Sequence, residues 1–441
     1  MNDFQTFPQI QTLLDDERLR AFPHAIKAYF AKKIVKECKK NKEFLNKNAL
    51  ILKILNALKE YEDKDFKPLI NATGVVIHTN LGRSIFDEEL FKACQKNLCS
   101  YTNLEFNLKN GKRGSRYDAV LEKLKILFEC EDALIVNNNA SAVFLVLNSL
   151  AFNKEVLSSR GELVEIGGNF RIPEVIKAAG VKLKELGTSN KTHLKDYENA
   201  ITKESAILLK THKSNFTLKG FCEEVGIKEL GILAKKKRLI SYYDLGSGWC
   251  GKLPKNLSID EPELKKLVKQ CDVLSFSGDK LFGSAQAGII LGKKKLIAKL
   301  RQNQLLRMLR IDKLSLVFLN ESLKAYLQKE YDKIPTLKLL NDDLEQIKQK
   351  ALKVQKRLKF KSLLKASKSL VGGGSLPNKC LKSFVLAFEG NALKMQEIFR
   401  KQGIIARIED KNLVLDFRSI KENELERLIN LINEMENKCL S

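Results

Sequence analysis

The stretch SFSGDKLFGSAQAGIILG at residues 275–292 places Lys280 directly after a strand-like run and among glycines and other small residues. A lysine in such a setting can lose its solvent shell, and a desolvated amine can act as a nucleophile. The small neighbours leave space for a bulky planar group on the lysine nitrogen. Taken alone, the motif is more typical of a lysine in a surface turn, so its chemistry depends on its surroundings.

A carboxylate that could serve the same site ends an earlier apolar run. The segment LISYYDLGSG places Asp244 where a strand would finish. Pyridoxal phosphate needs a lysine for covalent attachment and an acid beside its ring nitrogen. An Asp that ends one strand and a Lys that follows another would meet at the carboxyl edge of a parallel sheet. The alternative is an Asp that caps a turn.

The segment VNNNASAV at 136–143 is a candidate phosphate site. It passes from a predicted strand into small residues that can open a helix, and the free N–H groups of a helix N-terminus bind phosphate. The alternative is a polar turn with Asn139 as the N-cap. The order along the chain is phosphate loop, acid and lysine, and that order favours an aminotransferase-type fold with pyridoxal phosphate as cofactor.

The remaining patterns predict an α/β protein of three parts. Residues 1–66 have helical spacing of apolar residues and form a predicted N-terminal helical domain. Residues 67–330 alternate strands with helices, which predicts a mainly parallel central sheet in a large catalytic domain. Residues 300–330 read as one long helix. Residues 331–441 form a predicted small α+β domain. The predicted strands of the large domain are 133–138, 162–167, 182–187, 206–212, 238–246, 272–278 and 288–292.

The composition narrows the functional classes. Nine cysteines without a C-x-x-C pair and four histidines argue against a disulfide framework and a metal site. No segment reads as a signal peptide or a membrane span, so we expect a cytoplasmic protein with no membrane partner. The formal net charge of +25 favours a polyanionic partner, although a surface rich in lysine can also serve solubility alone.

Longer motifs carry a resemblance to one family. The chain resembles bacterial selenocysteine synthases, the L-seryl-tRNA(Sec) selenium transferases, over its whole length, with the motifs in the same order. The motifs are INATGVVIHTNLGRS (70–84), GKRGSRY (111–117), RGELVEIGGNFRIP (160–173), THKSNF (211–216), SGDKLFGSAQAGIILG (277–292), LRMLRIDKLSL (306–316), VGGGSLP (371–377) and ARIEDKNLVLDFRS (406–419).

The resemblance implies a fold-type-I pyridoxal phosphate enzyme. Such an enzyme removes water from the serine of seryl-tRNA(Sec) and adds selenium from selenophosphate, which gives selenocysteyl-tRNA(Sec). Lys280 would bind the cofactor and move the proton at the seryl α-carbon, and Asp244 would hold the ring nitrogen. His212 would contact the cofactor ring or the substrate; the alternative is a strand-end histidine bonded to backbone. The other implied cofactor contacts are Asn139, Ala140, Ser141 and Ser277.

Three arginines are candidates for the catalytic site. Arg307 and Arg310 are three residues apart, so on a helix they would share one face and could grip an oxyanion together. The resemblance favours this role over a solvated basic helix face. It also suggests that Arg83 acts in the site of a neighbouring subunit.

A tRNA substrate would account for the net charge of +25, because tRNA is recognised largely through its shape and its backbone. The resemblance implies that the N-terminal helical domain binds the tRNA. The candidate contacts are the clustered lysines Lys32, Lys33, Lys36, Lys39 and Lys40. The resemblance further implies a homo-oligomer, a decamer built from dimers.

Two segments depart from the family pattern. After GSRY the family pattern has a histidine and then an acidic residue, where this chain has Ala119 and Leu121. The chain also reads FGSAQAG where family members often read LGGPQAG.

Two other functional classes remain open from the sequence. A small-molecule pyridoxal phosphate lyase would keep Lys280 and Asp244 but would have no use for a basic helical domain. An RNA-binding protein without enzymatic activity would have no use for the lysine and its cofactor.

Overall fold

The computed structural model describes residues 7–168, 170–213, 216, 218, 220–259, 261 and 263–435, apart from the side chains of 377 and 378. The chain divides into two compact units, Met1–Pro68 and Leu69–Ser441. None of the helices in these described ranges is long and apolar enough to cross a membrane.

The first unit is helical, with helices α1 (Ile10–Leu14), α2 (His24–Lys40) and α3 (Lys47–Glu62). Helix α2 buries Ala31, Val35 and Cys38, whose spacing places them on one face. That face packs against the apolar side of α3 in one core. The Asn46 side chain begins α3 by accepting a hydrogen bond of 2.9 Å from the Ala49 N–H.

The second unit contains the strands and the remaining helices. Its strands are β1 (Ile70–Ala72), β2 (Val75–Ile77), β3 (Phe106–Asn107), β4 (Lys112–Arg113), β5 (Asp132–Val136), β6 (Glu155–Ser159), β7 (Glu165–Ile166), β8 (Phe170–Arg171), β9 (Lys182–Leu186), β10 (Ser205–Thr211), β11 (Ile240–Gly246), β12 (Val273–Ser277), β13 (Gly288–Gly292), β14 (Leu363–Gly372), β15 (Ser375–Phe388), β16 (Ile404–Glu409) and β17 (Asn412–Asp416). Its helices are α4 (Glu88–Leu98), α5 (Asp118–Phe128), α6 (Asn139–Ala151), α7 (Ile172–Ala178), α8 (Leu194–Ala200), α9 (Ile227–Lys237), α10 (Lys255–Ser258), α11 (Leu264–Leu267), α12 (Lys294–Gln302), α13 (Lys313–Leu327), α14 (Pro335–Asn341), α15 (Leu344–Gln355), α16 (Ala392–Lys401) and α17 (Leu425–Glu434).

The central sheet has seven strands in the order β5-β13-β12-β11-β10-β6-β9. Strand β13 runs antiparallel to both of its neighbours, β5 and β12. The other neighbouring pairs, β12–β11, β11–β10, β10–β6 and β6–β9, are parallel. Apolar side chains cover both faces in two separate clusters, as is usual for a mainly parallel sheet between helices. The predicted α/β class with a mainly parallel sheet is therefore confirmed.

Two sequence-based predictions of elements were wrong. The pattern predicts a strand at 162–167, but the sheet strand is β6. The predicted segment begins at the last residue of a 3-10 turn and contains only β7, which pairs with β8 in a small hairpin. The sequence EVLSS of β6 has few apolar residues, so its pattern was weak. The predicted long helix at 300–330 is also broken, because α12 ends at Gln302 and Asp312 starts α13 by capping the Ser315 N–H at 2.9 Å.

A second sheet has the order β1-β16-β17-β15-β14-β2 and carries helices α15, α16 and α17 in one core. Strands β1 and β2, which precede the large sheet in sequence, pair with β16 and β14. The boundaries at 66/67 and 330/331 remain predictions. The pairing of β1 with β16 and of β2 with β14 shows that residues 70–77 belong to the sheet of the C-terminal part.

A buried ion pair joins β1 and β2 to this sheet. Asp416 is fully buried and accepts hydrogen bonds from Ser369, from Ser383 at 2.6 Å, and from the Arg407 guanidinium at 2.7 Å. Arg407 also donates to the Thr73 carbonyl at 2.5 Å. Gly74 has a left-handed φ of +76°, and a Cβ at this position would collide with both Asp416 and Arg407. Only glycine leaves room for this pair.

We expect Gly74→Ala to destabilise the second unit by about 3 kcal/mol, because the added methyl displaces one partner of a buried ion pair. Gly111→Ala is the matched control, since Gly111 has a φ of +67° but no atom close to its Cβ position. Backbone strain alone should cost the control about 1 kcal/mol. Urea denaturation midpoints measure both changes, and equal shifts in the two variants would contradict the role of the ion pair.

Candidate active site

The carboxyl ends of four strands bring the predicted site residues to one edge of the central sheet. Residues 137–139 follow β5, His212 follows β10, Asp244 lies near the end of β11 and Lys280 follows β12. Strand register aligns Asp244 with Thr211 on one side and with Ser275 on the other. This edge is where open α/β sheets bind their ligands.

Lys280 is held in a compact buried loop and is 7% exposed. The loop is closed by backbone hydrogen bonds of 2.8 Å from Gly278 to Ala287 and from Ser284 to Gly278. A Cβ on Gly278 would lie 2.5 Å from the Ala285 carbonyl, so the loop requires glycine there. Burial and the nearby charge of Arg83 lower the pKa of the Lys280 amine, against the opposing charge of Asp244. A lowered pKa leaves more of the amine neutral and nucleophilic.

Asp244 is 3% exposed, and its charge interacts with that of the Lys280 amine. The Asn139 amide donates a hydrogen bond of 2.8 Å to its Oδ1. Burial raises the pKa of Asp244, while the Asn139 hydrogen bond and the charge of Lys280 act in the opposite direction. The Oδ1 atom of Asn139 is itself buried without a partner in the described residues. The carboxylate is therefore positioned on one side and can accept a further hydrogen bond.

Helix α6 begins at the predicted phosphate site. Asn138 is its N-cap, and the Asn138 side chain accepts a hydrogen bond of 2.8 Å from the Ser141 N–H. The first N–H groups of a helix have no partner within the helix, so Asn139 and Ala140 present theirs at this end. Asn138 caps the helix, so the alternative interpretation with Asn139 as the N-cap is wrong. The side chain of Asn139 bonds to Asp244 instead.

His212 lies on the same edge, and its ring is mostly buried. Its backbone N–H donates to the Asp244 carbonyl at 2.9 Å, while its ring Nδ1 lies 3.4 Å from the Tyr243 hydroxyl. Ser277 is buried at the end of β12. The structure therefore gathers His212 and Ser277 with Lys280 and Asp244, and their contacts with a cofactor remain predictions.

Arg83 reaches the site from β2 of the second sheet. It has a left-handed φ of +65°, and its guanidinium donates a hydrogen bond of 2.7 Å to Asp279. The next residue, Ser84, donates from its hydroxyl to the Lys280 carbonyl at 3.1 Å. These contacts lie within one chain and place Arg83 beside its own Lys280. A role in a neighbouring subunit remains a prediction.

Arg307 and Arg310 line a different cavity of about 420 Å³. Their predicted common helix face is wrong, because Arg307 ends the 3-10 turn Gln304–Arg307 and Arg310 follows in an irregular segment. Both residues nevertheless line the one cavity. The Leu309 carbonyl accepts a hydrogen bond of 2.9 Å from the Asn137 N–H, which ties this segment to the loop before α6.

The cavity is strongly basic. Glu105 is its one acidic lining residue, against the arginines Arg113, Arg116, Arg301, Arg307 and Arg310. Glu105 is paired with Arg113 and Arg116 and lies 3.8 Å from Arg310, while Arg301 is held by Asp132 at 2.6 Å. The side chain of Arg307 is exposed and makes no ion pair or hydrogen bond within the described residues. Arg307 is therefore the lining arginine most available to an incoming anion.

The five candidate tRNA contacts lie along α2 in the first unit. Lys32, Lys33, Lys36, Lys39 and Lys40 are all exposed, since the buried positions of the helix are the apolar ones. Glu37 lies 4.0 Å from Lys33 and neutralises part of this surface. Helix α2 thus presents a basic surface, and its use for tRNA remains a prediction.

Sequence reasoning missed two acidic residues of the site. Asp279 directly precedes Lys280 and pairs with Arg83, so its position beside the lysine was a usable signal. Glu261 is buried and lies 3.4 Å from His212, but no local motif marked it. No group of three or more His, Cys, Asp or Glu side chains suited to a metal ion occurs in the described part of the chain.

The arrangement fits pyridoxal phosphate. A buried amine interacts electrostatically with a buried carboxylate, and a helix N-terminus lies next to that carboxylate. Several buried polar atoms at this edge have no partner within the described residues. These atoms are Asn137 Oδ1, Asn139 Oδ1, Thr211 Oγ1 and the Glu261 carboxylate oxygens. Buried polar atoms without a hydrogen-bond partner destabilise the folded protein unless a ligand or water molecule bonds to them.

Comparisons with known proteins agree with this site. A family model described as L-seryl-tRNA selenium transferase matches residues 69–421. A Campylobacter jejuni protein named L-seryl-tRNA(Sec) selenium transferase is 66% identical over 439 residues, which cover 99% of this chain and 100% of the relative. A Campylobacter lari protein of the same name is 61% identical over 440 residues, covering 99% of each chain.

The solved structure of a D-glucosaminate-6-phosphate ammonia-lyase is similar with a TM-score of 0.61 and 19% identity. The similarity covers 87% of this chain and 99% of that one, and it supports the fold alone. The family match and the two close relatives support more than the fold. This chain belongs to the L-seryl-tRNA selenium transferase family.

Proposed function

We propose that this protein converts seryl-tRNA(Sec) to selenocysteyl-tRNA(Sec) with pyridoxal phosphate as cofactor and selenophosphate as selenium donor. The observation that carries the proposal is the buried Lys280 at the same sheet edge as the Asp244–Asn139 pair, in a chain that matches this family over residues 69–421. The seryl hydroxyl leaves as water and the selenium of selenophosphate takes its place on the β-carbon. The Se–P bond breaks as one water adds to phosphorus, so phosphate is the co-product and no water is released in the net reaction.

Pyridoxal phosphate, when bound, supplies an electron sink that makes the seryl α-proton acidic and the β-hydroxyl able to leave. Asp244 holds the ring nitrogen, with its orientation fixed by Asn139 at 2.8 Å. The residues that would hold the phosphate are those at the start of α6: the N–H groups of Asn139 and Ala140 and the Ser141 hydroxyl. Ser277 and His212 complete the pocket.

Lys280 holds the cofactor and then carries the proton of the α-carbon. Its environment suits both roles, because burial and the charge of Arg83 lower the pKa of its amine. A general base acts best when its pKa lies near the working pH. Asp279 holds the Arg83 guanidinium at a distance of 2.7 Å. From this position Arg83 would stabilise negative charge on the departing oxygen or on the selenium donor.

The basic cavity with Arg307 and Arg310 is the proposed site for the selenophosphate anion. Arginine binds phosphate-like oxyanions through paired N–H groups, and Arg307 has no competing carboxylate in the described residues. No hydrogen bond or ion pair joins this cavity to Lys280 within the described part of one chain. We therefore propose that the family's oligomer, a decamer built from dimers, brings the two sites together.

Exposed apolar residues support assembly. Tyr101 and Leu108 near the β3–β4 hairpin, and Met308 between the two arginines, are largely exposed. Apolar side chains this exposed are ones that a partner subunit would cover on assembly. Mass measurement in solution tests the assembly, and a monomer at assay concentration would contradict it. A cytoplasmic location is proposed from the substrate, since charged tRNA is made and used there.

The assay of the reaction uses the holo protein with seryl-tRNA(Sec) and selenophosphate, followed by ester hydrolysis and mass analysis of the amino acid. We expect selenocysteine with the native chain and with the control Lys295→Ala, and serine with Lys280→Ala. Serine from a native protein that shows the visible band of the cofactor would favour a small-molecule lyase. A native protein without that band would favour a binding protein without enzymatic activity.

The lysines of α2 should provide phosphate contacts with tRNA. We expect the triple variant Lys32→Ala, Lys36→Ala and Lys39→Ala to bind tRNA more weakly. The slope of log binding constant against log salt concentration should also become less steep. We expect a change of about one for each phosphate that the variant no longer neutralises. The control is Lys235→Ala, Lys236→Ala and Lys237→Ala at the exposed end of α9. Equal binding by both triple variants would refute the proposed tRNA surface.

Arg307→Ala should lower kcat/KM for selenophosphate by about tenfold or more, because a hydrogen bond to a charged group contributes about 1.5–3 kcal/mol. Binding of seryl-tRNA(Sec) should be unchanged. Arg160→Ala is the control, since Arg160 is exposed and paired with Glu185 at 3.1 Å. An unchanged kcat/KM in Arg307→Ala would place the selenium donor elsewhere.

A further inference from the structure

Glu261 is a buried carboxylate that the proposed reaction does not use. It is 1% exposed, and neither of its carboxylate oxygens has a hydrogen-bond partner in the described residues. Its backbone is fixed, because the Trp249 indole donates a hydrogen bond of 2.7 Å to its carbonyl. A carboxylate that is buried and unpaired costs several kcal/mol unless a donor reaches it. The local structure therefore holds Glu261 in place for a donor.

The imidazole of His212 is a donor close to this carboxylate. Its Nε2 lies 3.4 Å from Glu261 Oε2, which is within reach of a hydrogen bond after a small rotation of either side chain. Catalytic hydrogen bonds are often long in a protein without its ligands and shorten when these bind. The other groups whose charges interact with His212 or Glu261 are Tyr243, Asp244, Glu224 and Lys280.

The opposite nitrogen of His212 fixes the tautomer. Its Nδ1 lies 3.4 Å from the Tyr243 hydroxyl. A phenol hydroxyl can donate or accept a hydrogen bond. When the Nε2 proton is directed at the Glu261 carboxylate, the Tyr243 hydroxyl is the donor to Nδ1. An Nδ1 that accepts a hydrogen bond leaves the ring proton of a neutral imidazole on Nε2, and that proton faces Glu261.

We propose that Glu261 is the positioning residue of His212, accepting the Nε2 proton and locking the imidazole between Tyr243 and Glu261 in one tautomer and one orientation. This inference deepens the proposed function, because it rests on the cofactor pocket at this edge of the sheet. The lock acts on both ring nitrogens, so His212 presents its face and not a nitrogen atom to the pocket. A fixed ring face suits contact with a planar cofactor ring.

The first test reads the tautomer directly in the protein without cofactor or substrate. The chain has four histidines, so ¹⁵N-histidine labelling with solid-state NMR gives few signals, and His212→Gln assigns the relevant one. We expect an N–H type signal for Nε2 and an unprotonated type signal for Nδ1. The opposite tautomer in the native protein would overturn the proposal without any need for a Glu261 variant.

Variants then test the acceptor. Glu261→Gln keeps an acceptor oxygen and should preserve the native tautomer, whereas Glu261→Leu should give a mixture of tautomers. Glu263→Leu is the control, because Glu263 lies two residues away and pairs with Lys266 at 3.4 Å. A native-like His212 signal in Glu261→Leu would also overturn the proposal.

The second test measures pyridoxal phosphate affinity from the visible band. Glu261→Leu should weaken binding about tenfold, as expected for loss of one hydrogen bond to a charged group. In a His212→Gln background the same change should have no further effect. An equal loss in both backgrounds would mean that Glu261 supports the fold and not the histidine. Since neither test uses tRNA or selenium, failure of the proposed reaction would leave these outcomes unaffected.

Discussion

The register of three parallel strands is the constraint on which the site depends. Strands β10, β11 and β12 align Thr211, Asp244 and Ser275 side by side, and the residues that follow these strands emerge at one edge. A slip of one residue would turn Asp244 to the other face and separate it from Lys280. Apolar packing on both faces of the sheet prevents this slip, since the residues on either side of Asp244 in β11 are buried.

A second constraint brings Arg83 to the same edge. Residues 70–77 leave the helical unit and enter the C-terminal sheet, where the Arg407–Asp416 pair holds the backbone at Thr73. The chain then passes through Gly82, in a left-handed conformation, to Arg83 beside Lys280. The C-terminal sheet therefore supports the active site although its own strands lie far along the sequence from Lys280.

The site concentrates buried charge that a stable core would normally avoid. Lys280, Asp244 and Glu261 are all nearly inaccessible, and their charges partly compensate one another. Hydrogen bonds from Asn139 and interactions with His212 compensate further, but several polar atoms stay unsatisfied in the described residues. Such an arrangement is more costly than apolar packing. Its free-energy cost is understandable where a polar cofactor and a charged substrate supply the missing partners.

The amino-acid sequence by itself determined the fold class, the three-element order of phosphate loop, Asp244 and Lys280, and the basic surface of α2. Each of these is local: a strand followed by small residues, an acid at the end of an apolar run, or lysines between buried helical positions. The sequence did not determine that Asn138 caps α6 while Asn139 bonds to Asp244, because both asparagines suit either position. It also did not place β6, whose buried serines gave no apolar pattern.

Tertiary structure alone decided which residues from distant parts of the sequence lie at the site. Glu261 and His212 come from separate segments that meet only when the sheet has folded, and no periodicity links them. The break between α12 and α13, which places Arg307 and Arg310 in one cavity without a shared helix, depends on capping by Asn303 and Asp312. Local patterns report the neighbours of a residue along the chain. A catalytic site depends on neighbours in space, and strand register and loop closure fix those neighbours.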